Sequence, residues 1–266
     1  MIIIGEKINS SIPSSRAAIE AKDTQKIAEL AKAQAEAGAA FIDINAGMLL
    51  SGEADALAFL AQVVAKELSL RLSIDTPSVS AAEAALKAAG SKGHLINSVT
   101  TEKDRLEGMT ALAREYGCSV VALCSPESGM EDSLETRLLM ADKLVTYLTA
   151  NGIAAGDIYI DPMLKPVGAE PSAGIEALET ISRLHRIYPQ CHISCGLSNL
   201  SYGLPKRRLV NRAFAVAAIV AGLDAAIADP LDKTLLSLCA AAEVVSGRDE
   251  YCIDYIDKCR ADEIEA

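Results

Sequence analysis

The sequence has no tryptophan, three phenylalanines and three histidines. Without large aromatics, a core must be built from Ala, Leu, Ile and Val, which suits layers of strands and helices. The scarcity of histidine also narrows metal chemistry. A zinc site of mixed thiolate and imidazole ligands needs both types together, and His94, His185 and His192 are the whole imidazole supply. His192 and Cys195 stand three positions apart on one apolar run and so face opposite sides of a strand. His185 lies in a helical pattern beside Arg183 and Arg186, where solvation is the expected state. No metal site is expected.

A CxxC pair is also missing. The seven cysteines, Cys118, Cys124, Cys191, Cys195, Cys239, Cys252 and Cys259, are scattered and odd in number, which excludes a disulfide framework and points to a reduced cytoplasm. Cys195 ends a strand beside Gly196, but no histidine is placed to activate it, so a buried structural thiol is expected. Positive charge is scarce too. The 25 Lys and Arg against 36 Asp and Glu leave a formal charge of −11. That disfavours nucleic acid, which needs clustered cations, and an anionic membrane surface. The start carries no basic region and its apolar run stops at Gly5-Glu6, so no signal peptide is expected. The longest apolar stretch, Ala213 to Leu223, is broken by Asp224. It falls short of the ~20 residues of a membrane span, and a soluble protein is expected.

What the sequence does have is one alternation, repeated from end to end. A short apolar run is followed by a longer, Ala-rich helical pattern. The runs Ile2–Ile4, Phe41–Ile44, Leu72–Ile74, His94–Ile96, Ser119–Leu123, Ile158–Ile160, His192–Cys195 and Ala225–Ala228 read as strands. Helical patterns cover Thr24–Ala37, Glu53–Leu68, Val79–Ala89, Glu102–Tyr116, Asp132–Ala150, Ser172–Tyr188, Leu209–Ala221 and Leu231–Ser246, with a closing helix near Tyr251–Ile264. Eight strand–helix units predict a (β/α)8 TIM barrel forming a single domain over residues 1–266. A doubly wound open sheet is the rival, but no GxGxxG follows the first run.

In such a barrel the site lies at the C-terminal ends of the strands. Those ends read Gly5-Glu6, Asp43-Ile44-Asn45, Asp75-Thr76, Asn97-Ser98, Asp161-Pro162 and Gly196-Leu197-Ser198-Asn199. Asp and Asn after a strand often merely cap the next helix. Here Ser78 is better placed than Asp75 for that task, and Thr101 with Asp104 gives a capping-box-like start that frees Asn97. Asp161 precedes Pro162 about ten residues before its helix. Carboxylates accept from adjacent N–H donors, and a carboxamide serves donors and acceptors alike. Asp75, Asn97 and Asp161 together match the polar edge of a pterin, and equally that of a purine or another heterocycle.

The same segments carry a family resemblance. GEKIN, FIDINAG, LSIDT, LINSVT, YIDPM, CGLSN and the stretch from Val210-Asn211-Arg212 to Asp224-Ala225-Ala226-Ile227-Ala228-Asp229 resemble the methyltetrahydrofolate:corrinoid methyltransferases, in order and over essentially the whole chain. The wider group includes the folate domain of cobalamin-dependent methionine synthase and dihydropteroate synthase. The resemblance implies a cytoplasmic, pterin-binding TIM barrel that forms a homodimer. It would carry no cobalamin of its own and would act on a separate corrinoid protein, in acetogenic carbon fixation or in O-demethylation and related demethylations. It implies that Asp75, Asn97 and Asp161 hold the pterin of tetrahydrofolate or 5-methyltetrahydrofolate, and that Asn199 reaches N5, where the methyl sits. Asp43, Asn45, Gly196 and Ser198 would line the pocket, with Glu6 in the matching first-strand loop and Arg207 near the folate tail. The fifth-strand loop, Cys124-Ser125-Pro126-Glu127-Ser128-Gly129, departs from relatives, and no role is carried onto it.

The implied reaction is an SN2 transfer between N5 and cobalt. Asn199 and Asp161 are the expected catalytic residues. No strong general acid adjoins Asn199 in sequence, so a hydrogen-bond network through Asn199 is the expected device. A dihydropteroate synthase-like enzyme is the nearest alternative, although its diphosphate-binding signatures are not visible. The basic run Lys206-Arg207-Arg208 reads as a phosphate contact or as a solvated loop. A non-catalytic folate-binding barrel is the other alternative.

Overall fold

The computed structural model describes residues 1–49, 51–90 and 92–265. Its elements run in the expected alternation. β1 (Ile2–Asn9) is followed by α1 (Pro13–Glu20) and α2 (Thr24–Glu36), and β2 (Phe41–Asn45) by α3 (Glu53–Ala61), which continues as a π-helical segment, Gln62–Glu67. Then come β3 (Leu72–Asp75), α4 (Val79–Ala89), β4 (Leu95–Val99), α5 (Lys103–Tyr116), β5 (Ser119–Leu123), α6 (Leu134–Ala150) and β6 (Ile158–Asp161). The chain finishes with α7 (Ala173–Ile187), β7 (His192–Ile193), α8 (Arg207–Ala221), β8 (Ala225–Ala228), α9 (Lys233–Val245) and α10 (Ile253–Arg260).

The strands form one parallel sheet in the order β7-β6-β5-β4-β3-β2-β1-β8. The remaining gap closes through a parallel bridge between Gly196 and Ile227, supported by the Ile227 N–H donating to the Cys195 carbonyl at 2.9 Å. The sheet is therefore a closed (β/α)8 barrel. Its helices are Ala-rich, so they lie close against the strands, and their inner faces join the outward residues of the strands in one continuous apolar layer.

Several local expectations are corrected. β1 runs on past Ile4 to Asn9, and α1 was not anticipated; Pro13 in its first turn pre-sets the helical φ. β7 keeps only His192 and Ile193 of the expected run. Ser78 does cap α4, its Oγ accepting from the Ala81 N–H at 3.3 Å. The capping box at Thr101 and Asp104 does not form. Glu102 is the cap residue of α5 without a side-chain bond, and the Thr101 hydroxyl turns instead to Met140 Sδ, 3.7 Å away on α6.

The barrel interior is filled at its N-terminal end. Ile4, Phe41, Leu95, Val121, Tyr159 and Ala225, one from each of six strands, pack into a separate apolar cluster. The Phe41 and Tyr159 rings meet edge to face at 6.3 Å, and the Arg71 guanidinium lies 4.5 Å over Phe41. His192 stacks on Tyr159 at 4.5 Å and holds Asp224 at 2.8 Å through Nδ1, a contact that raises its pKa. His192 is thus a floor residue.

Candidate functional site

Two residues further along the same strands, the inward side chains change character. Ile4 gives way to Glu6, Phe41 to Asp43, Leu95 to Asn97 and Tyr159 to Asp161. Alternation along a strand makes this step unavoidable once register is set. The register places Asn45 beside Asp75 and Asp75 beside Asn97, with Asp43 beside Ser73 one level below. Asp43 therefore lies in the middle of β2, 1% exposed, rather than at a strand end.

The polar layer is cross-linked. The Asn45 amide donates from Nδ2 to Asp75 Oδ2 at 2.8 Å, while its Oδ1 accepts from Ser10 Oγ at 3.2 Å and from the Gly47 N–H at 3.1 Å. Ser73 Oγ donates to Asp43 Oδ1 at 2.6 Å, and Asn97 Nδ2 donates to the same oxygen at 3.4 Å. Asp161 Oδ1 accepts from the Met163 N–H at 2.7 Å, and the Gly196 N–H also serves this carboxylate. Ser198 Oγ donates to Glu6 Oε1 at 3.0 Å, joining the loop after β7 to β1.

Burial raises the pKa of all four acids. Asp161 is pushed up to about 6, its two backbone donors and Arg137 opposing the shift. Asp43 is raised further by the neighbouring charges of Asp75 and Glu6. For Asp75, Asn45 and Arg105 counter the desolvation, and for Glu6 Ser198 does so. Asp75 Oδ1 receives no hydrogen bond among the described residues. A set of buried carboxyls with raised pKa values and open acceptor positions is costly for the protein alone and marks a binding site for N–H donors.

Glu6, Asp43, Asn45, Asp75, Asn97, Asp161, Gly196 and Ser198 are thus brought to one mouth. Asn199 stands on its rim in the turn Leu197–Asn199, exposed, with no hydrogen bond to its amide among the described residues. Gly196 has an ordinary φ of −75°, so its backbone does not call for glycine. A Cβ there would meet Asn199 Nδ2 at 2.8 Å and turn that side chain aside. Arg207 opens α8 and braces the same turn, donating to the Ser198 carbonyl at 2.5 Å and to Ser201 Oγ at 3.1 Å. The segment between the fifth-strand loop and α6 is tied down at Asp132. Arg137, fully buried, grips Asp132 with two bonds of 2.8 and 3.1 Å, and Lys165 bridges Asp132 to Glu170.

Cys195 is buried and its thiol is held well above its ordinary pKa, which suppresses a thiolate. Among the described residues, no group of three or more His, Cys, Asp or Glu is arranged to hold a metal ion, and no helix is long and apolar enough to cross a membrane.

Sequence reasoning missed Ser10, Ser73, Arg105 and Asn211. Asn211, which donates to Ser198 Oγ at 3.4 Å, lay inside a motif already singled out. Ser73 could have been found by stepping back two residues from Asp75. Arg105 left no signal, because it is one charge among many on a helical pattern.

Residues 6–229 match the family described as pterin binding enzyme. The chain belongs to the pterin-binding enzymes. Among relatives in this family, the methylcorrinoid:tetrahydrofolate methyltransferase of Eubacterium limosum is 32% identical over 257 residues, covering 96% of this chain and 94% of that protein. The methionine synthase of Mycobacterium tuberculosis is 32% identical over 241 residues, but the match spans only 20% of that longer protein. Solved dihydropteroate synthases share the fold. The dihydropteroate synthase of Yersinia pestis superposes with a TM-score of 0.68 at 21% identity over 92% of this chain and 93% of its own. That of Thermus thermophilus, solved in complex with 6HMPPP, gives 0.66 at 20% over 92% and 93%. At such identities the likeness speaks for architecture alone.

Proposed function

We propose that this protein is a methyltransferase that moves a methyl group between N5 of tetrahydrofolate and the cobalt of a separate corrinoid protein. The observation that carries the reading is the buried acid and amide layer at the mouth of a pterin-binding barrel. The near full-length similarity to a methylcorrinoid:tetrahydrofolate methyltransferase favours it over a dihydropteroate synthase-like reaction. Residues 1–266 would act as one barrel domain.

In this reading Asp75 and Asp161 accept from the pterin N–H groups and Asn97 matches a neighbouring donor or acceptor. Asp43 and Asn45 hold Asn97 and Asp75 in place, which a pre-organised site requires. Glu6, Ser198 and Gly196 shape the wall beneath Asn199, and Arg207 braces the turn and offers a cation toward an anionic tail. When methyltetrahydrofolate and the corrinoid protein are both in place, the methyl passes by in-line displacement. Nitrogen at N5 leaves poorly without positive charge, and Asn199 would accept a hydrogen bond from a protonated N5. Its free amide on an open rim suits a contact made with substrate rather than with protein.

Asn199→Ala tests this. Single-turnover transfer to cob(I)alamin at saturating methyltetrahydrofolate is expected to slow by roughly 10²–10³, about 2.7–4 kcal/mol, with folate affinity falling less. A near-normal rate removes Asn199 from the chemistry. The metal-free, cytoplasmic and homodimeric character, and service in O-demethylation, belong to the same proposal. Exposed Ile175, Ile187, Leu209, Val220 and Val245 on α7, α8 and α9 support a dimer packed through helices. Light scattering should give twice the 27.9 kDa chain mass, and a monomer at micromolar concentration contradicts the dimer.

A further inference from the structure

α5 begins at Lys103, so Arg105 lies in its first turn, where the helix dipole disfavours a cation. Something else must reward it there. Its guanidinium is half-buried and forked onto one residue, Nε donating to the Ser98 carbonyl at 3.0 Å and Nη2 to Ser98 Oγ at 2.8 Å. Ser98 follows Asn97 directly, and the Asn97 carbonyl accepts from the Thr76 N–H at 2.9 Å, beside Asp75. One guanidinium therefore clamps the irregular last stretch of β4, between Asn97 and Val99, while facing the end of β3.

We propose that Arg105 is a positioning residue of the pterin site, holding Asn97 in the mouth through Ser98 and standing as the counter-charge behind Asp75. The inference rests on the pterin reading of the mouth. Arg105 touches no substrate; it acts through Asn97 and Asp75. The charge relation is reciprocal: Arg105 lowers the Asp75 pKa, and Asp75 supports the charged form of Arg105 against desolvation. The other groups around Asp75 are the Asn45 amide and Asp43 from β2 and Glu53 from α3. Asn45 opposes protonation of Asp75, while Asp43 and Glu53 promote it. Asp43 and Asp75 feel each other and titrate as a pair, while Asp161, raised to about 6, adds its own step to the acid limb of binding, a step common to wild type and the Arg105 variants.

The sign follows. A pterin that donates to Asp75 needs the carboxylate, so binding fails as pH falls through the pKa of that pair. Removing Arg105 raises this pKa and moves the failure to higher pH. Lysine keeps the charge but loses the fork on Ser98.

Tetrahydrofolate binding to the full chain is measured by calorimetry between about pH 5 and about pH 8, for wild type, Arg105→Met and Arg105→Lys. In Arg105→Met the affinity at the alkaline plateau is expected to fall on the order of tenfold, with the acid limb displaced upward. In Arg105→Lys the plateau affinity is expected to fall while the limb stays near that of wild type. Wild-type plateau affinity in the lysine variant, or a limb in the methionine variant that coincides with wild type, overturns the proposal. If the methionine variant does not fold, the lysine variant alone decides. A wild-type chain that binds no tetrahydrofolate overturns the pterin reading and this inference with it; a binding wild type with unchanged variants overturns only the inference.

Discussion

The floor and the mouth of this barrel are built by the same strands, two residues apart, and they obey opposite rules. At the floor, Ile4, Phe41, Leu95 and Tyr159 gain from leaving water, and each contributes stability in proportion to the apolar area it buries. At the mouth, Glu6, Asp43, Asn97 and Asp161 are buried against the same physics, and the raised pKa values of the three acids register the cost. The difference shows how a barrel separates its tasks. Packing at one end secures the register, and that register then forces polar groups together at the other end.

The largest expected effect breaks the floor. Phe41→Ala removes a ring packed against Tyr159 and Arg71, and should cost about 3–5 kcal/mol in denaturant unfolding. If the floor only supports, folate affinity per folded molecule should change little. A loss of affinity larger than the loss of stability merges the two regions.

A smaller effect sharpens the comparison from the mouth. The Asp161 pKa is raised from 3.8 to about 6 in the folded state. Between these values the folded chain holds a proton that the unfolded chain has released. Its contribution is therefore favourable at the acid end and is lost as pH rises through about 6. Asp161→Asn should remove this slope and stabilise the ligand-free protein near neutral pH by up to about 3 kcal/mol relative to wild type. Thermal melts of both proteins across that range check it. Parallel pH profiles would mean that Asp161 carries no such strain.

Much of this division was legible in the sequence. The eight apolar runs were visible because a strand buried on both faces reads as a short β-branched block. The acids were visible because they end those blocks. What was hidden needed distance or register. The Ser198–Glu6 bond joins residues 192 positions apart, and no local pattern announces it. The depth of Asp43 depends on its pairing with Ser73, which spacing alone does not give. α1 was missed because its residues follow a strand with only a brief turn, and β7 was overdrawn because Ser194 and Cys195 keep only single backbone bonds, to Ile160 and Ile227, beyond the continuous strand. The expected box at Thr101 failed since Thr101 found a tertiary partner on α6.

The central claim is that the buried acids of the mouth form a pterin site needing no metal. It is tested most directly by titrating tetrahydrofolate, in EDTA, into wild type and Asp75→Ala at neutral pH. Binding by wild type, weakened by roughly 2–3 kcal/mol in a variant with unchanged fold, is the expected result. Equal affinity in the two proteins, or wild-type binding that disappears with the chelator, would contradict it.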